Sequence, residues 1–348
     1  MSRETSEWLN QNVLVGYTDQ RGTAWHYRRS AQGVEPNHYP GPIPVEDVKR
    51  RLFGWQPVSI PMGGNLQELL GAGTPAWKTY TDHQLIVRSD TLDLLGKFKD
   101  GFTIHHYDEW LLTKVANLLD TDLHIGSAGL LKNGAVAWVS IEMTETITAA
   151  GVRFRPYLLA ATSVDGSLSS TYKPVVQLVV CDNTMDIALG EGGAAVKIKH
   201  SRHSKFKVAE VRDALGIVHQ AADEFSAEVE RLTQVEVPDR VWSAFLDEYT
   251  PVPAQKGRAR TIAENTRTEL DRLWNHDQRV APWQGTAFGV HQATNTYLHH
   301  YATIRNVGRA ERNMDNVLST KLGEVETATQ RALDKALNGA SERALIRL

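Results

Sequence analysis

Cysteine is almost absent from this 348-residue chain. Cys181 stands alone, so no disulfide can form within it. That fits a reducing compartment, and a cytoplasmic location is expected. The cysteine closes the apolar run Val175–Cys181 and reads as a buried small hydrophobe, because no base or cationic pocket is written around it. Long apolar runs are missing as well. No stretch approaches the roughly 18 uninterrupted apolar residues of a membrane span, and the polar opening MSRETSEWLNQN lacks the basic-then-apolar order of a secretory signal. No membrane contact is expected. Charge of one sign is lacking too: 38 Lys and Arg against 41 Asp and Glu leave a formal net charge of -3. This excludes a globally basic nucleic-acid protein but leaves room for a local basic face. Two catalytic signatures are also missing. No Gly-Lys-Ser/Thr follows Gly190-Glu191-Gly192-Gly193, so these glycines make no phosphate-binding loop, and no His-Glu-x-x-His sequence offers paired zinc ligands.

What is present is an ordinary globular composition, 41% hydrophobic and 23% charged, enough for one large or two modest domains. Residues 1–80 are punctuated by Gly and Pro and predict an irregular N-terminal segment. Its one good helix is 45–53, with Pro44 at the start. Residues 81–235 read as an α+β core domain. Gln84–Arg88 is a strand. Apolar positions 111, 112, 115, 118 and 119 predict a helix over 108–119 with Asp108 as its N-cap. Asn133-Gly134 between two apolar arms predicts a β-hairpin. A second strand pair flanks Asp165-Gly166, its second arm interrupted at Pro174. A short helix is expected over 183–189 and a strand over 194–200. Apolar residues at 208, 211, 215, 218, 222, 225, 229 and 232 predict a long helix. Residues 236–348 read as a helical C-terminal region, with helices over 239–248, 259–276, 285–302 and 315–338. The predicted fold class is therefore α+β: a hairpin-rich central antiparallel β-sheet packed on a long helix, between an irregular wrap and a helical tail.

Several stretches together resemble one family. Asp165-Gly166-Ser167 is followed by Pro174-Val175-Val176 and then Val180-Cys181-Asp182-Asn183-Thr184. Lys199-His200-Ser201 precedes the long helix, and Trp283-Gln284-Gly285-Thr286-Ala287-Phe288-Gly289 is followed by Ala293 and Tyr297. With Trp25-His26 and Leu94-Leu95-Gly96 these resemble the landmarks of the DUF932 family of phage and plasmid-like proteins, with Phe288 where the family usually has Trp. The resemblance implies a mobile-element setting close to DNA processing. It carries no catalytic residues. A weaker, architectural resemblance is to Rad52-like single-strand annealing proteins, which share the order helix, hairpin, further strand and long helix.

The densest charge lies at Lys197, Lys199, Arg202, Lys205, Lys207 and Arg212, six cations against Glu210 alone, with His200 and His203 among them. On a strand, Lys197 and Lys199 point to one face, and such a face running into a flexible loop suits backbone phosphates. The bland alternative is an edge strand guarded by lysines. Lys256, Arg258 and Arg260 form a second cluster after Pro251 and Pro253, and Arg305, Arg309 and Arg312 make a stripe if one helix carries them. The pairs His200/His203, His105/His106 and His299/His300 lack the spacing of a metal site. Asp165 is better explained as a turn residue and Asp182 and Asp186 as a helix start. The expectation is a non-enzymatic protein that binds nucleic acid, single-stranded DNA favoured, as a homo-oligomer and without a cofactor, annealing strands in its most specific form. The alternatives are a metal-dependent nucleic-acid-processing enzyme built on those Asp and His residues, and a factor that binds a phage or host protein through its C-terminal helices.

Overall fold

A computed structural model describes residues 5–67, 77–116, 123–143, 146–178, 184–185, 195–205, 222–319 and 321–345. The chain forms two compact units, each assembled from separate stretches: Met1–Thr144, Tyr157–Pro174 and Ala194–Ile217 make the first, and Glu145–Pro156, Val175–Gly193 and Val218–Leu348 the second. The fold is α+β, with antiparallel strand pairs and a helical C-terminal part.

In the first unit, β1 (Val13–Val15) follows the helix Ser6–Asn12, whose first turn is capped by the Thr5 hydroxyl accepting from the Trp8 amide. β2 (Pro57–Asn65), β3 (Trp77–Arg88) and β4 (Leu94–Lys99) form a three-stranded antiparallel sheet. β3 therefore starts well before the Gln84–Arg88 that alternation alone marks. A second sheet runs in the order β1, β5 (Leu123–Leu131), β6 (Val136–Met143), β8 (Val152–Ser163), β9 (Ser170–Leu178), and β11 (Val196–Ile198) also pairs with β9. The hairpin at Asn133-Gly134 forms as predicted. Asn133 and Gly134 have φ of 57° and 93°, left-handed values that Asn tolerates and Gly adopts freely. β6 is buried nearly throughout, which is why it reads as an almost unbroken apolar run.

The helix predicted over 108–119 is present as far as it is described, but it opens with a wide π turn, Asp108–Thr113. Tyr107, not Asp108, is the capping residue; it already has helical φ/ψ and makes no side-chain cap bond. Two phenols anchor this element: Tyr107 donates to the Gly134 carbonyl at 2.8 Å and Tyr172 to that of Trp110 at 2.9 Å. Pro174 does not interrupt β9. It falls between Tyr172, the last partner of β11, and Val176, a partner of β10 (Thr184–Met185). A residue without an amide hydrogen costs little where no ladder bond is needed.

In the second unit, β7 (Ile147–Ala149) pairs with the start of β8, and β10 pairs with Val176 and Gln177. Thr184 and Met185 are thus extended, not part of the short helix expected there; the rest of 183–189 lies outside the described residues. Of the long helix, 222–234 is described and helical, with Ala222, Phe225, Val229 and Leu232 buried at the expected spacing. The helices Asp239–Tyr249 and Arg258–His276 match their predicted spans. Residues 285–302 form Ala287–Thr296 followed by a π turn. The helix expected over 315–338 is two, Arg309–Leu318 and Lys321–Leu345, because Ser319 turns out of helical geometry. The core is aromatic: Trp242 stacks on Trp274 at 4.4 Å, and Phe154 meets Phe225 edge-on at 4.7 Å.

Candidate functional site

The basic segment after β11 is built on the first unit. Antiparallel pairing sets Lys197 opposite Thr171, so Lys197 and Lys199 fall on the same, exposed side of an edge strand. The chain then closes a tight turn, in which the Ser201 amide donates to the Ser204 hydroxyl at 2.9 Å and the Ser204 amide to the Ser201 carbonyl at 3.0 Å. The Ser204 hydroxyl also donates back to the Lys199 carbonyl. Arg202 pairs with Asp100 at 3.0 Å. The segment through Ser204 is a turn whose own serines bond its backbone. His203 and Lys205 are exposed. Lys207 and Arg212 lie outside the described residues.

His200 points the other way. Its ring sits in a column of five aromatic rings: Phe98 on Phe102 at 3.7 Å, Phe102 on His200 at 5.0 Å, His200 on His105 at 4.1 Å and His105 on Trp110 at 3.6 Å. The Lys114 ammonium lies 3.5 Å from the Trp110 ring centroid. Hydrogen bonds join the two histidines through two buried hydroxyls. His105 Nδ1 is 2.7 Å from Ser170 Oγ, which is 2.8 Å from Thr162 Oγ1, which is 3.1 Å from His200 Nε2; His200 Nδ1 is 3.1 Å from the Thr103 carbonyl.

Burial holds His200 below its ordinary value, outweighing the Thr103 and Leu168 carbonyls that favour the protonated ring. A neutral ring carries one hydrogen; with it on Nδ1, toward the Thr103 carbonyl, Nε2 accepts. In that tautomer Thr162 donates to His200, Ser170 to Thr162, and His105 Nδ1 to Ser170. His105 Nε2 is buried and without a hydrogen-bond partner. Burial pushes His105 down to about 3, with His200, Lys114 and His106 adding to the effect. Two histidines that the sequence places 95 positions apart are thus brought together as neutral stacked rings. Among the described residues no group of three His, Cys, Asp or Glu is placed to hold a metal.

Asp165 is a turn residue. Its Oδ1 accepts from the Ser167 amide at 2.8 Å and from the Ser167 hydroxyl. Burial alone would raise this carboxyl, but those bonds and Lys132 together keep it below its usual value. Gly166 has φ 79°, and an added Cβ would meet the Phe98 ring at 2.8 Å. The Asp-Gly-Ser turn thus packs against one end of the ring column.

The other basic clusters belong to the second unit. Lys256 and Arg258 are exposed, and Arg260 is paired with Glu264 at 2.7 Å and reaches the Ala254 carbonyl at 3.3 Å. The stripe of Arg305, Arg309 and Arg312 does not form. The helix starts at Arg309, leaving Arg305 in the preceding loop, and half-buried Arg312 donates to the His299 carbonyl at 3.1 Å. Trp283–Gly289 is structural: Gly285 is left-handed at φ 85°, the Thr286 hydroxyl caps the next helix by accepting from the Gly289 amide at 3.1 Å, and a Cβ on Gly289 would strike the Trp283 carbonyl.

These landmarks fall within a recognised family. The family model described as a domain of unknown function (DUF932) matches residues 94–318, well over half of the chain. The protein belongs to this family. The match opens on Leu94-Leu95-Gly96 and takes in the Asp-Gly-Ser turn, His200 and Trp283–Gly289, whereas Trp25-His26 lies outside it. No curated protein and no solved structure matches the chain, and the architectural resemblance to Rad52-like annealing proteins is not supported. No helix among the described residues is long and apolar enough to cross a membrane.

Proposed function

We propose that the protein binds nucleic acid, single strands in preference, as a non-enzymatic and oligomeric factor of a phage or related mobile element. One observation carries this reading. Lys197, Lys199 and Lys205 are exposed and have no ion-pair partner among the described residues, and the backbone between Lys199 and Ser204 is a hydrogen-bonded turn. Arg202 ties it to Asp100, and the ring column holds His200. Cations carried by neighbouring positions of one strand and turn can meet successive phosphates. Lys256 and Arg258 offer further phosphate contacts on the second unit.

Fluorescence anisotropy of labelled single- and double-stranded oligonucleotides across a salt series tests this. Binding that weakens steeply with salt and favours single strands is expected. The double variant Lys199→Glu with Lys205→Glu should abolish it and leave the circular dichroism spectrum unchanged. Binding that survives in that variant would remove the basic segment from the interface. No binding of the unmodified protein at low salt would remove the nucleic-acid reading.

A further inference from the structure

The three-stranded sheet turns an unusual face to water. Its register sets Val58, Ile60 and Met62 on one side together with Lys78, Tyr80, Leu85, Lys97 and Lys99, and with Val87, which is buried and closes one end of this face. The opposite side carries Ile86 and Arg88, both buried, and Phe98 of the ring column. A solvent-facing sheet surface ordinarily carries polar side chains. Here Val58 and Ile60 are each 39% exposed, Tyr80 36% and Leu94 62%. Exposed Lys78, Lys97 and Lys99 rim this apolar strip. The Lys78 ammonium lies 5.6 Å from the Tyr80 ring centroid, and Lys99 sits opposite His83, three residues along β3 from Tyr80. Asp82, at the bulge in β3, is engaged by His83 at 3.0 Å.

We propose that this sheet face is a stacking platform for a single-stranded nucleic acid, with a base on Tyr80 and the flanking phosphates on Lys78, Lys97 and Lys99. The inference rests on the nucleic-acid reading above and adds a second contact surface on the same unit. Charge selects this occupant. A second copy seated face to face would set the same lysines against each other, whereas a single strand offers apolar base faces and regularly spaced anionic phosphates. The bulge in β3 sets Tyr80 and Gln84 opposite the adjacent residues Met62 and Pro61, which brings Tyr80 toward the end of β4 that carries Lys97 and Lys99. Such a surface tolerates any sequence, because every base has a π face.

The test uses the full chain and an oligothymidylate carrying a fluorescent adenine analogue, whose emission falls when the base stacks. Quenching is expected with the unmodified protein and with Tyr80→Phe, and is lost in Tyr80→Ala together with about tenfold in affinity. The double variant Lys97→Glu with Lys99→Glu should flatten the salt dependence by at least about 1.4 in slope, roughly 0.7 for each lost phosphate contact. Unchanged melting curves show that the variants fold. If Tyr80→Ala binds and quenches like the parent while the Lys199/Lys205 variant does not bind, the platform is overturned and the basic segment stands. If the reverse holds, the platform stands and the basic segment falls. If the parent does not bind a single strand at low salt, both fall.

Discussion

Lowering the pH from 7 to 5 should destabilise this protein through its buried histidines. Burial, with His38 nearby, pushes His26 down to about 4. Burial pushes His105 to about 3. Burial, with Arg279, His299 and Arg309 nearby, pushes His300 to about 4. Each folded value lies below that of a free histidine, so the folded protein prefers the neutral ring. The contribution is complete above the unfolded value near 6.5 and is lost as the pH falls toward the folded one. At pH 5 the unfolded ring has gained its proton over about 1.5 pH units at about 1.4 kcal/mol each, or about 2 kcal/mol per histidine. His26 and His105 together remove about 4 kcal/mol from the first unit and His300 about 2 kcal/mol from the second, against a typical domain stability of about 5–15 kcal/mol. His38, His200 and His291 are also lowered by burial and act in the same sense. The depressed carboxyls Asp82, Asp90, Asp93 and Asp165 take up protons lower, below about pH 5, so the interval from pH 5 to 6.5 reports the histidines. Urea unfolding followed by circular dichroism and tryptophan fluorescence at several pH values measures the effect. His105→Gln should lose about 2 kcal/mol of the difference between pH 7 and pH 5, whatever its stability at pH 7. A parent midpoint that does not move over this interval, or a His105→Gln variant with the parent's full pH dependence, would refute the reasoning.

Two further predictions concern packing. Ser170→Ala strips both His105 Nδ1 and the Thr162 hydroxyl of a hydrogen-bond partner. Two orphaned buried groups cost about 3 kcal/mol in urea unfolding. Adding Thr162→Val to Ser170→Ala should cost clearly less than the sum of the single changes, because the chain is already broken; strict additivity would mean the two hydroxyls are not coupled. Phe288→Trp places a larger ring at a fully buried position 5.4 Å from Trp283. Overpacking should lower stability by about 1–3 kcal/mol, and an unchanged urea midpoint would show that the second unit has room for it.

Local signals were legible where they are strong. Asn133-Gly134 marked its hairpin because a left-handed pair of residues is needed there, and the spacing of Phe225, Val229 and Leu232 marked a helical face. The strand over Val196–Ile198 and the shared side of Lys197 and Lys199 followed from alternation. The extent of β3 was hidden, since Trp77–Asp82 is exposed and carries no one-sided apolar pattern. The π turn at Asp108–Thr113 leaves no trace in apolar spacing. The ring column is hidden for a different reason. Phe98, Phe102, His105 and Trp110 look like scattered aromatics until β11 brings His200 between them, and nothing local in Lys199-His200-Ser201 says that the histidine turns inward while its neighbours face water. The outward face of β2 to β4 was equally hidden, because it depends on which side of a sheet is covered.

The polarity of the histidine chain has a consequence for how this protein tolerates change. Its last acceptor is the carbonyl of Thr103, an atom that every amino acid possesses. The hydrogen bond of His105, four links away, is therefore coupled to main-chain conformation and not to the identity of the side chain at 103. A substitution at 103 that keeps the peptide plane in place keeps this acceptor, while a change that rotates the plane removes it from the end of the chain.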